Sequence, residues 1–258
     1  MSVVATAATP YFYSDWTFWQ WVVAFLALVL SQLPPLITFL RPGRLKLDVP
    51  AKISITHKVG NPNVNMLVSL RNVGGREVRV RSIYVNFTRA KSDPFRIEAQ
   101  HFEIPGTTTM LLFVPFALAP RELLTRSIVF YNELDRQTDK EFRANRMAMQ
   151  TQIRERIAVR PKEKEKEPVR VDDGLVTPFN TLFKQQFRWQ PGEYEMEIVV
   201  ETEPSRATLR KKYRFTLFES DTLELKEHIE EFLIGGGGIT FVGEQTTSVW
   251  VPITEERA

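Results

Sequence analysis

Three histidines, His57, His101 and His228, are the only imidazoles in the chain. They lie far apart, without the H-E-x-x-H type of spacing that gathers ligands around a metal ion, so they read as structural or exposed side chains. No cysteine occurs, which removes disulfides, zinc thiolates and thiol nucleophiles. A nucleophile would have to be Ser or Thr, and no G-x-S-x-G elbow is present to expose one. Gly235 to Gly238 could cradle a phosphate through backbone N–H groups. No Lys-Ser/Thr follows the run and no strand-to-helix frame surrounds it, so the P-loop and dinucleotide fingerprints both fail and a turn after a helix is expected. Asp172-Asp173-Gly174 lacks the spaced oxygen ligands of an EF-hand and reads as a turn. Arg206, Arg210, Lys211, Lys212 and Arg214, with Tyr213 and Phe215 interleaved, form the densest basic cluster. On a strand, all but Lys211 share one face, a stripe that suits anionic lipid or nucleic acid. Acidic residues before and after the cluster make a solvated strand face the expected reading. No catalytic residue, cofactor site or metal site is assigned, and the chain is not expected to be an enzyme.

Net charge is +3, from 34 basic and 31 acidic residues among 258. The balance gives no basic surface of the kind that binds nucleic acid, so no nucleic-acid partner is expected. The length suits one large domain or two small ones.

What positions the chain is a segment without charge. Residues 16–40, WTFWQWVVAFLALVLSQLPPLITFL, contain no ionisable side chain, whereas roughly 20 apolar residues suffice to cross a bilayer core of about 30 Å. Pro34-Pro35 near its far end predicts a kink or break there. Trp16, Trp19 and Trp21 crowd the first turns and Tyr11 and Tyr13 precede them, as in an aromatic belt; Arg41, Arg44 and Lys46 follow the other end. No Lys or Arg precedes the segment, so positive-inside reasoning places residues 1–15 outside and everything after Arg41 in the cytosol, as a single-pass protein of the inner (plasma) membrane. A cleaved signal peptide would want a basic n-region, a shorter apolar run and small residues at a cleavage site, and these are missing. Gln20, Ala24, Ala27 and Ser31 fall on one helical face. Such a small and polar stripe lets helix backbones approach closely, so homo-oligomerisation through this face is one expectation; chance alignment in an alanine-rich segment is the other.

Beyond Arg41 the pattern changes to period two. Residues 45–49, 52–57, 64–70, 77–87 and 108–114 read as short strands separated by turn residues, the cadence of a sandwich. Asn72-Val73-Gly74-Gly75 predicts a tight hairpin with positive φ. Between Asn132 and Ala158 the chain is highly charged, with Phe142, Met149, Ile153 and Ile157 at helical spacing, so a helix interrupts the strands. Arg160 to Glu167, alternating in charge, is expected to be a solvated linker. Thr177-Pro178 predicts the start of a short helix. Residues 192–202 and 206–218 predict a late hairpin, and Leu223 to Phe232 a short helix capped by Asp221. Residues 239–241 and 248–253 add final strands.

The Asn-x-Gly-Gly turn at Asn72 to Gly75, and Trp189-Gln190-Pro191-Gly192-Glu193-Tyr194 followed by alternating Met196, Ile198 and Val200, resemble turn and strand entries of bacterial Ig-like modules. The resemblance implies a mainly β fold: an Ig-like sandwich over residues 41–258 with a helical insertion at about 132–158 and a charged linker at about 160–173, behind one N-terminal transmembrane helix. A composite β domain is favoured over two units because the insertion lacks apolar residues for its own core and no repeat is visible. Two functions fit. One is a membrane-anchored, non-enzymatic module presenting its cytosolic domain to a protein partner, with Phe142, Met149, Ile153 and Ile157 as the partner-facing stripe, packing of that stripe on the sandwich being the equal alternative. The other is an oligomerising membrane effector or channel subunit, of the kind found in bacterial defence or stress systems, gated by its cytosolic domain.

Overall fold

A computed structural model describes residues 16–90, 94–103, 109–161, 167–227, 230–234, 239 and 248–256, with only the backbone for 32–40 and 230–231. The chain opens with α1 (Trp16–Leu40) and continues through β1 (Leu45–Asp48), β2 (Lys52–Lys58), β3 (Asn61–Asn72), β4 (Val78–Arg89), β5 (Phe95–Glu103), β6 (Met110–Leu112), β7 (Phe116–Leu118) and β8 (Leu123–Tyr131). Helices α2 (Arg136–Ala158) and α3 (Asp173–Gln186) follow. Then come β9 (Gly192–Glu203), β10 (Leu209–Leu217), α4 (Glu219–Glu227), β11 (Val249–Pro252) and β12 (Thr254–Glu255).

The mainly β expectation holds, but the strands join one antiparallel sheet of 12, nine of them in the order β11-β2-β3-β8-β5-β4-β9-β10-β12, with β1 paired to β3, β6 to β5 and β7 to β4 off this path. Partners succeed one another along single edges: β2 and β1 share one edge of β3, and β5 and β7 share one edge of β4. Register shifts at Val80/Ser82 and Ala99/His101 bend the ribbon where this happens. The ends of the order are joined by the chain itself. β11 pairs with β2 and β12 with β10, and only Ile253 separates them, its N–H on Ala51 O at 2.9 Å. The sheet is therefore nearly closed, which protects strand edges that would otherwise be exposed.

Alternation explains the core. Strands β1, β3 and β9 bury every second residue over much of their length, and their inward side chains meet around Trp189, Phe87, Phe215 and Tyr194. The Trp189 indole N–H donates to Thr56 O at 2.9 Å, which satisfies the one polar atom of a fully buried ring. The Tyr194 hydroxyl accepts from Gln190 N–H at 3.0 Å and faces the carbonyls of Gln190 (2.8 Å) and Arg188 (3.1 Å). This closure onto the upstream backbone is the bond pattern of a tyrosine corner.

Several expectations are corrected. Asn72 to Gly75 forms no hairpin, because β3 does not pair with β4; the segment instead crosses between distant strands, and Gly74 does not have positive φ. It matters there because a Cβ would sit 2.3 Å from Pro42 O and 2.5 Å from Arg44 N, so only glycine lets the two backbone segments touch. Buried Asn72 ties the region together. Its side-chain amide donates to Arg76 O (2.8 Å) and Leu118 O (3.0 Å), and its Oδ1 accepts from Gly74 N–H (3.0 Å). Helix α3 starts at Asp173 rather than Thr177, so Asp172-Asp173-Gly174 leads into a helix and is not a free turn, and Pro178 lies inside it. Asp221 lies within α4, where its carboxylate accepts from Phe218 N–H at 2.9 Å. Ile239 is helical rather than extended, while Phe241, Gly235 to Gly238, His228 and residues 162–166 of the charged linker lie outside the described residues.

Helix α1 runs for 25 residues, through Pro34-Pro35 without interruption. Among the fully described residues, which include only positions 16–31 of α1, no helix is long and apolar enough to cross a membrane.

Candidate functional site

Polar and titratable side chains converge at the end of the sheet opposite the entry of α1. The β2–β3 connection, Lys58-Val59-Gly60-Asn61, is a two-residue hairpin in which Lys58 pairs with Asn61 and both central residues have positive φ, 50° at Val59 and 87° at Gly60. That is the mirror-image turn which matches strand twist. A β-branched valine pays a steric cost in it, offset here by burial of its side chain. The pairing Asn63↔Tyr131 sets β8 beside the hairpin, and β5 brings His101 next to Tyr131. Helix α2 then closes one wall with Asp139 and Phe142.

The result is a cleft of about 450 Å³, within the size range of small-ligand sites. Asn61 Nδ2 donates to Asn132 O at 2.7 Å, and Asn132 Nδ2 to Arg96 O at 2.5 Å, fixing the rim. The His101 and Tyr131 rings stack with centroids 5.8 Å apart, and the Tyr131 hydroxyl meets His101 Nδ1 at 3.2 Å. Burial, and secondarily the charge of Glu133, push the Tyr131 hydroxyl pKa up. Lys58 Nζ stands 5.6 Å over the Phe142 ring and the Arg146 guanidinium 5.9 Å from the same ring. Desolvation first and Arg146 second hold the Lys58 pKa below that of a free lysine, while Asp139 acts in the opposite sense. Asn63 Oδ1 and Arg146 Nε are buried and have no hydrogen-bond partner among the described residues. Of the two, Asn63 lines the cleft, where a polar group of a ligand or partner side chain could satisfy its open oxygen.

Nucleophilic catalysis has less support here. No serine lines the cleft, and the imidazole of His101 is engaged by Tyr131. Among the described residues, no three His, Asp or Glu side chains group as metal ligands would.

Comparison with known protein families, curated proteins and solved structures found no match.

The structure separates the residues singled out from the sequence. Phe142, Met149 and Ile153 are buried, with Phe142 edge-on to Phe179 of α3 at 5.5 Å. The stripe expected to face a partner is therefore part of the domain's own core, because α3 supplies the apolar surface it needs; only Ile157 is exposed. Gln152 and Arg156, one turn apart on α2, hold the segment before α3 through the carboxylate of Asp172, and Arg156 also donates to Arg170 O. Gln20, Ala24, Ala27 and Ser31 are exposed on α1, as are Trp16 and Trp19 at its start and Arg41 and Arg44 after it. Ser31 Oγ donates to Leu28 O within its own helix at 2.7 Å. In the basic cluster, Arg210 pairs with Glu197 and Arg214 with Glu195 and Glu256 on the outer face of β10, while Lys211, on the other face, pairs with Glu255.

His57 has a structural role: buried, it accepts from Gly60 N–H through Nδ1 (3.1 Å) and places Nε2 2.6 Å from Leu225 O, linking the hairpin to α4. The cleft was missed from the sequence. Its one local signal was Lys58-Val59-Gly60-Asn61 between two alternating runs, a hairpin turn that brings two polar residues to one edge.

Proposed function

We propose that this chain is a single-pass membrane-anchored, non-enzymatic interaction protein whose Ig-like β domain is held on the cytosolic face and presented to a protein partner. The observation that carries the reading is α1: 25 helical residues with no charged side chain, about 37 Å long at 1.5 Å per residue, entering the β domain through Arg41-Pro42-Gly43-Arg44. A helix of that length and composition matches the hydrocarbon thickness of a bilayer. Tryptophans at its start and arginines at its end fit the two interfaces in the orientation given. The tyrosine corner at Tyr194 supports an Ig-like origin for the late strands. The cleft at the far end, with Lys58 held over the Phe142 ring and the unsatisfied Asn63, is the part of the surface suited to a partner's polar side chain.

Cell fractionation with C-terminal fusions, one to a reporter active only in the cytosol and one to a reporter active only outside, tests the anchor and its direction together. Membrane-bound protein with cytosolic activity is the expected result. Activity only outside overturns the orientation, and soluble exported protein overturns the anchor.

A further inference from the structure

We infer that the end of the β domain at which α1 enters is a lipid-facing collar, whose arginines bind the anionic phospholipid headgroups of the leaflet that α1 leaves; this inference rests on the membrane reading above. Three loops form the collar, and Asn72 joins them. Val73 N–H donates to Arg44 O (2.8 Å), Arg121 N–H to Asn72 O (2.9 Å) and Asn72 N–H to Glu122 O (3.0 Å). The segment that follows α1 is thereby hydrogen-bonded to the 72–76 and 118–122 loops.

These loops and the strand ends beside them carry Arg41, Arg44, Arg71, Arg76, Arg79 and Arg121, all exposed. Among the described residues none of these six forms an ion pair. Elsewhere on the sheet Arg81, Arg96, Arg210 and Arg214 each have a carboxylate partner, whereas Arg126 of β8 donates to Thr125 O. The acidic residues of the same loops and strand ends are Asp48, Glu77, Glu122 and Glu203: Asp48 pairs with Lys46, Glu203 lies opposite Arg79 in the ladder but pairs with Arg81, and the Glu122 carboxylate accepts from Ala119 N–H at 2.7 Å, closing its own turn. Arg71 also lies directly opposite Lys46 across the β1–β3 ladder. Like charges in that position repel unless an anion lies between them, and Asp48 serves Lys46 only.

Arg121 adds an independent sign. Its φ is 69°, a conformation in which a long side chain is uncommon and glycine is at ease. Strain of this kind persists where surrounding bonds impose it and is found at ligand-binding positions. Val73 and Leu123, exposed in the same region, supply apolar contact at headgroup depth. Guanidinium groups match phosphate with two parallel hydrogen bonds, as they do a carboxylate; it is the position of these arginines, at the end where α1 enters the domain, that favours a phospholipid headgroup.

The chain contains no cysteine, so Val73→Cys provides a single labelling site for an environment-sensitive dye on the full-length protein. The protein is reconstituted into nanodiscs of phosphatidylcholine alone or with a third of phosphatidylglycerol, and dye emission and its quenching by a headgroup-level lipid quencher are recorded against salt. The collar predicts blue-shifted emission and quenching in the anionic discs, both reversed by salt. It also predicts that Arg44→Gln, Arg76→Gln and Arg121→Gly together weaken the effect by about fivefold per arginine removed. Arg121→Gly alone should lower quenching while leaving the fold at least as stable, a combination that a purely structural arginine does not give. Emission independent of lipid charge, or unchanged in the triple variant, overturns the collar while the protein remains in the disc. Failure of the protein to enter the disc at all, seen by size-exclusion chromatography, overturns the anchor instead.

Discussion

Replacing Asn72 by alanine should loosen the whole α1-proximal end of the domain. Asn72 is fully buried, and its side chain makes three hydrogen bonds to backbone groups, at 2.8, 3.0 and 3.0 Å, on Arg76 O, Leu118 O and Gly74 N–H. Truncation leaves these three backbone groups without the partner they have now. At roughly 1–3 kcal/mol for each buried polar group left unsatisfied, with partial relief from relaxation at the surface, the loss comes to about 3–5 kcal/mol. For a domain of this size, at about 2–4 °C per kcal/mol, that corresponds to roughly 6–20 °C in Tm. Urea unfolding of the full chain in detergent, followed by near-ultraviolet circular dichroism, reads the loss. Amide exchange then locates it, with protection falling first in residues 72–78 and 118–122. Asn72→Asp keeps the acceptor for Gly74 N–H but turns a carboxylate toward two carbonyls, and it should be at least as damaging at neutral pH. A loss below about 1 kcal/mol, with unchanged exchange in both loops, would show that the three bonds do not hold the collar together.

Gly60→Ala should cost roughly 2–4 kcal/mol in the same unfolding assay, because φ is +87° and the new Cβ would meet Phe183 O at 2.7 Å. Gly174→Ala, in the first turn of α3 with nothing within 4 Å of the new methyl, should be neutral or stabilising by up to about 1 kcal/mol; a clear loss there would mean the turn is packed differently. Lys58 is exposed on its solvent side, which screens the effect, so Lys58→Met should raise stability at neutral pH only slightly. The folded-state pKa of Lys58 is lowered, so folding disfavours its charged form; the penalty is full below that folded pKa and fades as pH rises through it toward the unfolded value near 10.5. The advantage of the variant over the parent should therefore shrink on approach to pH 10.5, and a constant or growing advantage would contradict the desolvated lysine. Asp135→Ala should increase exchange in the first turn of α2, since Asp135 Oδ1 accepts from Gln137 N–H and Thr138 N–H, both at 3.1 Å. Its hydrogen bonds with Thr138 lead in lowering its pKa. The cap is thus intact above the unfolded carboxylate range and lost as pH falls through the lowered folded value, so acid should reproduce the alanine phenotype in the parent.

Where one face of an element is buried and the other wet, the amino-acid pattern was enough to find it. Strands β1, β3, β4, β9 and β10 carry that alternation, and α2 shows its stripe of Phe142, Met149 and Ile153. Strands β5 and β8 were not recognised. In β8 the first five positions are exposed or half-buried and the next three are buried together, so no period of two exists to be read, and in β5 polar Gln100 and His101 follow one another at a register shift. β7 is three residues long, too short for any period. The direction in which an apolar stripe faces is a further matter. Phe142 is apolar whether it meets a partner or Phe179, and only the packing of α2 on α3 decides. The cleft was illegible for the same reason: Lys58, His101, Tyr131 and Phe142 are brought together by long-range pairing, and none of them stands in a motif. Asn72 misled because an Asn-x-Gly-Gly sequence serves equally for a hairpin turn and for a crossing between strands; the choice depends on which strand pairs next.

The two ends of the domain bear on the choice between a presenting role and a gated one. β3 runs from Asn61 at the cleft to Asn72 at the collar, 12 residues in a single strand, or roughly 36 Å at about 3.3 Å per residue. It is paired on at least one edge throughout and on both edges at 63–65 and 69–71, by β2 and β1 on one side and β8 on the other. A strand held this way carries position rigidly and offers no second arrangement for a bound partner to select. At the collar, Asn72 and Gly74 pin residues 42–44 to the domain, which leaves the junction at Arg41 as the place where α1 could change direction. A gated effector needs a bistable element between its sensor and its membrane helix, and neither β3 nor the collar has the features of one. On the membrane reading proposed above, a partner at the cleft would sit some 36 Å from the point where α1 enters, beyond the headgroup layer, so that reading is one of a fixed mount holding the cleft clear of the bilayer.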